Sequence, residues 1–90
     1  MPYIKQEVRD QLDKEIDNLI AILPEALGKD INDGDVNYVL TRIINAFYNR
    51  PSYKIMQRGI GVLECTKLEF YRRCVAKYEA TKMIENGDVY

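Results

Sequence analysis

The last third of the chain, residues 58–90, has the composition of a helix but carries apolar side chains around most of its circumference. With about 100° of rotation per residue, these side chains fall into two sectors. One holds Met56, Ile60, Leu63, Phe70, Cys74 and Tyr78, and the other holds Val62, Cys65, Leu68, Val75, Ala76, Ala80 and Met83. A helix that is apolar on two sides must be covered on both. Because a chain of 90 residues has little else to cover it, the sequence predicts an all-α homo-oligomer.

Two shorter helices are predicted upstream, so that residues 1–90 form a single helical domain. Apolar residues recur at spacings of three and four over about 4–23 and again over about 34–49. Pro24 and Pro51 follow these stretches and disfavour helical geometry at the residues before them. The architecture expected from the sequence is therefore three helices, of which the third is the longest.

The third helix is predicted to run from about 53 to 85. Ser52 is suited to cap its start, and Gly87 is suited to the left-handed position that ends a helix. Gly59 and Gly61 are its weak point, because each costs about 1 kcal/mol relative to alanine in a helix interior. They allow a kink, a split of the helix, or close approach of another backbone.

Histidine is absent from the chain, which removes the commonest general base and most zinc sites. Cys65 and Cys74 lie nine residues apart, about 13.5 Å along one helix, too far for a disulfide. Cys74 falls on the most apolar face, which predicts a buried structural thiol rather than a nucleophile. We therefore expect a protein that is not an enzyme and that has no metal site and no cofactor.

The sequence also favours a cytoplasmic protein without a membrane partner. It has no run of about 18 apolar residues, and its polar N-terminal stretch lacks the apolar segment of a signal peptide. Two cysteines that cannot pair with each other fit a reducing compartment.

Charge is distributed unevenly along a chain whose formal net charge is −1. Residues 1–40 hold four basic and nine acidic side chains, whereas residues 41–90 hold nine basic and five acidic ones. The near-neutral total makes duplex nucleic acid an unlikely partner, since its binders are usually basic overall. The asymmetry leaves two explanations open: acidic-to-basic contacts between protomers, or a positive pocket for an anionic ligand.

Tyrosines, arginines and lysines are interleaved along the third helix, and this pattern indicates a nucleotide-type site. Arginine binds phosphate in a bidentate manner, and the tyrosine ring offers a face on which a base stacks. The alternative is that the tyrosines line the rim of an oligomer interface, where an apolar body with a polar tip is useful. The predicted ligand-binding residues are Arg58, Tyr71, Arg72, Arg73, Lys77, Tyr78, Asn86 and Asp88.

Three segments carry a family resemblance: MPYIK at 1–5, NYVLTRI at 37–43 and GVLECTKLEFYRRCVAKYEATKMIENGDVY at 61–90. Together they resemble the pattern of a family of small, all-helical proteins of unknown function that is common in bacteriophage genomes and also occurs in bacteria and archaea. The resemblance covers the whole chain and implies a phage or prophage context, hence the cytoplasm of a host cell. It transfers no catalytic residue.

From the residues and this context we expect a non-enzymatic binding protein that sequesters a small anionic ligand at protomer interfaces. A cyclic nucleotide immune signal is the expected ligand, by analogy in size, helicity and context with phage proteins that act as sponges for such signals. This analogy is not a motif match. The alternative is a protein-interaction module or inhibitor that binds a host or phage protein by surface contact. An accessory role on nucleic acid, using the positive half of the chain, is a third and weaker possibility.

Overall fold

The computed structural model describes residues 2–26 and 30–90, and its regular structure in these ranges is helical. The elements are α1 (Gln6–Ala26), α2 (Asp33–Tyr48), α3 (Tyr53–Phe70), a π-helical segment (Tyr71–Val75) and α4 (Ala76–Asn86). The last three are continuous and form one helix of 34 residues, named here the long helix. The predicted all-α architecture of three helices with a long third one is thereby confirmed.

Each of three helix ends lies at a residue that caps it. Asn32 caps α2, because its side-chain Oδ1 accepts a hydrogen bond of 2.8 Å from the backbone N–H of Gly34. Ser52 caps α3 as predicted, with its Oγ accepting a bond of 3.3 Å from the N–H of Ile55. At the other end of the chain Gly87 has a φ of +91° and stops α4, in agreement with the sequence.

The first helix extends further than predicted. It begins at Gln6 and continues past Pro24 to Ala26, rather than ending near residue 23. A proline removes one backbone N–H donor from the helix. Pro24 therefore leaves the carbonyl of Ile20 without its intrahelical partner, and α1 ends two residues after the proline.

Gly59 and Gly61 do not break the long helix, which runs through both of them. Gly59 is buried beneath Tyr48, at the end of α2. A Cβ atom added to Gly59 would lie 2.8 Å from the Cβ of Tyr48, whereas one added to Gly61 would meet nothing within 4 Å. Of the three roles predicted for these glycines, the structure therefore supports the third at Gly59, where the missing side chain lets α2 approach the long helix closely.

The irregularity of the long helix lies instead at Tyr71–Val75, where the backbone is π-helical. A π-helical turn inserts one extra residue into an α-helix. Residues beyond it are rotated by about 100° relative to a regular helix. The helical angles deduced from the sequence consequently hold up to Phe70 and fail after it.

A single chain has almost no interior. Among the described residues no apolar side chain is buried, and Ile60, Leu68 and Phe70 of the long helix are 67%, 57% and 62% exposed. The solvent-accessible surface is 8271 Å², about 2,800 Å² more than is typical of a folded monomer of this mass. The radius of gyration is 16.9 Å, compared with about 12 Å for a compact domain of this length. Both apolar sectors thus remain uncovered, and the homo-oligomer stays a prediction.

Both cysteines are exposed as free thiols. The prediction of a buried Cys74 is therefore wrong for the single chain. The apolar face on which Cys74 was placed is itself left exposed in the single chain, at Ile60 and Phe70 as well. Within the described ranges, none of the helices combines the length and the apolar character needed to cross a membrane.

Candidate functional site

A cavity of about 530 Å³ lies at the C-terminal end of the long helix. The π-helical segment and α4 form one side of it, and residues 87–90 form the other. We name it the C-terminal cavity. Its wall contains three tyrosines, three charged residues and several small or apolar residues: Tyr71, Tyr78, Tyr90, Glu79, Lys82, Asp88, Ala76, Ala80, Met83, Gly87 and Val89. Its volume is within the range of small-molecule sites, about 300–1,000 Å³.

The π-helical segment decides which side chain faces Tyr71. In a regular helix residues seven apart share a face, and Tyr78 would stand in line with Tyr71. With one extra residue inserted, the residue eight positions on takes that place, and the hydroxyl of Tyr71 donates a hydrogen bond to the carboxylate of Glu79. This bond, together with the negative charge of Glu79, raises the pKa of Tyr71 above its ordinary value of 10.0. Tyr71 is therefore a neutral donor with its partner already in place.

Lys82 supplies the positive charge of the cavity wall. Its Nζ lies 5.7 Å from the centroid of the Tyr78 ring, within the range of a cation–π contact. The same ammonium group forms a salt bridge of 3.1 Å with Glu85. On the facing segment, Asp88 accepts a hydrogen bond of 2.9 Å from the backbone N–H of Tyr90. Aromatic faces and groups of both charges are thus brought together in one concave site.

Arg72 is engaged in a separate cluster. Its guanidinium group forms a salt bridge of 2.5 Å with Glu69, which also accepts a hydrogen bond from the hydroxyl of Tyr3. The bond from Tyr3, followed by the bond from Arg72, lowers the pKa of Glu69 below its ordinary value of 4.5. The same carboxylate raises the pKa of Arg72. This cluster ties the segment before α1 to the long helix, so Arg72 is oriented by protein groups.

Arg73 and Lys77 are absent from the wall of the C-terminal cavity. Over residues 2–26 and 30–90, neither of them takes part in a salt bridge. Both are exposed, and they follow Arg72 on the π-helical segment and on α4. They are the cations of this region that are available to an anion.

The eight predicted site residues are therefore distributed over several places. Tyr71, Tyr78 and Asp88 line the C-terminal cavity, while Asn86 is absent from its wall. Arg58 lines a different cavity of about 620 Å³, together with Tyr48, Cys65 and Glu69 among others. Arg58 and Arg72 are fourteen residues apart in one helix, a distance of about 21 Å along its axis. A ligand would have to span that distance to contact both arginines of the same chain.

Sequence reasoning did not include Glu79, Tyr90 or Tyr3 among the site residues. Glu79 could be found only with knowledge of the extra residue in the π-helical segment, which no local signal in the sequence marks. Tyr3 is 66 residues from its partner Glu69, and a contact over that distance follows only from the tertiary structure. Within the described residues, no group of three or more Cys, Asp or Glu side chains is arranged to hold a metal ion.

Fold and cavity together define a small all-helical protein with a ligand-sized site at the end of its longest helix. The chain belongs to the family described as Domain of unknown function (DUF6899), which matches residues 1–89. No curated protein and no solved structure matches the chain.

Proposed function

We propose that the protein is a non-enzymatic binding protein that sequesters a small anionic ligand at protomer interfaces. The proposed ligand is a cyclic nucleotide of bacterial immune signalling, which would make the protein an anti-defence sponge encoded by a phage and active in the cytoplasm of the host cell. The phage context rests on the family resemblance of the three sequence segments. The ligand class rests on the chemistry of the C-terminal cavity.

The observation that carries the proposal is the placement of three tyrosines around one cavity of about 530 Å³, on a stretch of helix that also carries the exposed cations Arg73 and Lys77. Tyr71, Tyr78 and Tyr90 offer rings on which a nucleobase can stack, and stacking on aromatic side chains stabilises bound bases by about 1–3 kcal/mol each. The cavity adjoins a π-helical turn, a feature that is frequent at functional sites.

The charges of the cavity wall suit a base better than a phosphate. Inside the wall, the carboxylates of Glu79 and Asp88 outnumber the single ammonium group of Lys82. Carboxylates accept hydrogen bonds from the N–H groups of a base but repel phosphate. The base would therefore enter the cavity, and the phosphates would lie outside it against Arg73 and Lys77. A second protomer that brings its own cations to this edge would complete the phosphate site, which favours a site between protomers.

Thermal melting with a panel of cyclic dinucleotides and trinucleotides tests the proposal. A ligand present at 100 times its dissociation constant stabilises the folded state by about 2.7 kcal/mol. For a domain of this size we expect the melting temperature to rise by about 10 °C or more. A panel without any shift would refute nucleotide binding.

Substitution of the cations then locates the phosphate site. We expect Arg73→Ala to weaken nucleotide affinity about 10- to 150-fold, since a hydrogen bond to a charged group contributes about 1.5–3 kcal/mol. Arg72→Ala should weaken affinity as well, but it also breaks the pair with Glu69. Lys67→Ala is the matched control, because Lys67 is an exposed cation of the same helix and forms a salt bridge of 2.9 Å with Glu64. Calorimetry that gives equal affinities for Arg73→Ala and Lys67→Ala would place the phosphates elsewhere.

The alternative function is that of a protein-interaction module or inhibitor that binds a host or phage protein by surface contact. The extensive exposed apolar surface of the single chain favours it. The same melting panel separates the two functions, because a surface-contact module gains no stability from any nucleotide.

A further inference from the structure

A long apolar groove runs between α2 and α3 and has no occupant in the single chain. Its volume is about 1000 Å³. Val36, Leu40 and Ile44 form the wall on α2, and Met56, Ile60 and Leu63 form the wall on α3. The two helices are joined by a connection of four residues and pack closely at Gly59, so the groove is the seam of a helical hairpin. Such a seam is stably buried when a further helix lies along it.

The apolar stripe of α1 has the properties of that further helix. Val8, Leu12, Ile16 and Leu19 recur every three or four residues, and they are 40%, 46%, 46% and 37% exposed. From Val8 to residue 23 the stripe extends about 22 Å, and the α3 wall of the groove, continued to residue 70, extends about 21 Å. Stripe and groove therefore match in length and in apolar character, and both are uncovered.

The α1 of the same chain does not fill the groove. Among the described residues that line it, none belongs to α1. The hydroxyl of Tyr3, just before α1, is bonded to Glu69 on the long helix. The vacant groove and the uncovered stripe are thus two separate surfaces of one chain, an arrangement that two copies can satisfy reciprocally.

Surface area favours a second copy as the occupant. The excess accessible surface of about 2,800 Å² per chain exceeds the roughly 800 Å² per partner of a standard interface and is typical of permanent assemblies. Charge does not oppose it: α1 carries six acidic and two basic side chains, and the two helices that form the groove, α2 and α3, together carry four acidic and four basic ones.

We propose that α1 of one copy lies in the α2–α3 groove of a second copy, and that the exchange is reciprocal. The result is a two-fold symmetric dimer in which the same two surfaces meet twice. This proposal does not rest on nucleotide binding, and a failed nucleotide screen leaves it unaffected.

Cross-linking between two different variants tests the arrangement. Cys65 and Cys74 are first changed to serine in both, which their exposure permits. One variant then carries Ile16→Cys in the middle of the α1 stripe, and the other carries Leu40→Cys in the middle of the groove. The two are unfolded, mixed and refolded together, and are then treated with a short bismaleimide. Circular dichroism checks that each variant is helical before cross-linking.

The proposal predicts a covalent dimer in the mixture and much less covalent dimer in either variant alone. Efficient linking within the Ile16→Cys variant would mean that α1 packs on α1. Efficient linking within the Leu40→Cys variant would mean that two grooves face each other. A chain that carries both cysteines and links only to itself would mean that α1 fills its own groove.

Each of these three outcomes overturns the proposal, as does a mixture that gives no covalent dimer. Sedimentation of the wild-type chain as a 10.5 kDa monomer at micromolar concentration would overturn it too. Nucleotide melting is a separate measurement, so failure of the exchange and failure of ligand binding are distinguishable.

Discussion

Gly59 and Gly61 offer a sharp test of the packing between α2 and the long helix. Both lie in the interior of α3, and in each case alanine should gain about 1 kcal/mol in helix propensity. They differ only in their surroundings. A Cβ at Gly59 would lie 2.8 Å from Cβ and 3.0 Å from Cγ of Tyr48, whereas a Cβ at Gly61 would meet open space.

The expected magnitudes follow from this contrast. The Cβ of Tyr48 is fixed to its backbone, so no side-chain rotation relieves the overlap, and the two helices must move apart. Overpacking of this kind costs about 1–3 kcal/mol. We therefore expect Gly61→Ala to raise the free energy of unfolding by about 1 kcal/mol. Gly59→Ala should leave it unchanged at best or lower it by up to about 2 kcal/mol.

Thermal unfolding followed by circular dichroism measures the difference. A gap of about 1–3 kcal/mol corresponds to about 4–24 °C in melting temperature for a domain of this size. Both variants must be compared at one protein concentration, because the melting temperature of any protein that assembles depends on concentration. Equal stabilisation by the two substitutions would refute the close approach of Tyr48 to Gly59.

Two further predictions concern the helix cap and the cluster around Glu69. Ser52→Ala removes the side-chain acceptor of the Ile55 N–H and should lower the free energy of unfolding by about 0.5–2 kcal/mol. Urea denaturation measures this change. An unchanged midpoint of the urea transition would contradict the role of Ser52 as a cap. The hydrogen bond from the hydroxyl of Tyr3 is the largest cause of the lowered pKa of Glu69 in the folded chain. This bond therefore stabilises the fold above the ordinary carboxyl pKa of 4.5. The stabilisation is lost as the pH falls through the pKa that Glu69 has in the folded state. Denaturation over a pH series should accordingly show a stability difference between wild type and Tyr3→Phe near neutral pH that shrinks below about pH 4.5; a difference that widens in acid would contradict the cluster.

Helix positions could be predicted because their signals are local. Apolar spacing of three and four residues marks a helix whatever surrounds it, and Ser52 and Gly87 act on the backbone groups next to them. The predicted and observed elements therefore agree closely, apart from the extension of α1 past Pro24 to Ala26. The region of the C-terminal cavity could also be predicted from a local signal, because Tyr71 and Tyr78 lie in one short stretch of helix.

The tertiary structure decided everything that depends on how distant segments meet. Gly59 could have kinked the helix, and only the approach of Tyr48 shows that it admits a neighbouring side chain. Helical angles calculated from the sequence placed Cys74 in line with Met56 and Leu63, but the extra residue of the π-helical segment changes the direction of the side chains beyond Phe70. For the same reason the hydroxyl of Tyr71 faces Glu79 rather than Tyr78, and it donates a hydrogen bond to the Glu79 carboxylate. A single inserted residue costs the helix little locally, yet it changes which side chains face each other over the last turns of the chain.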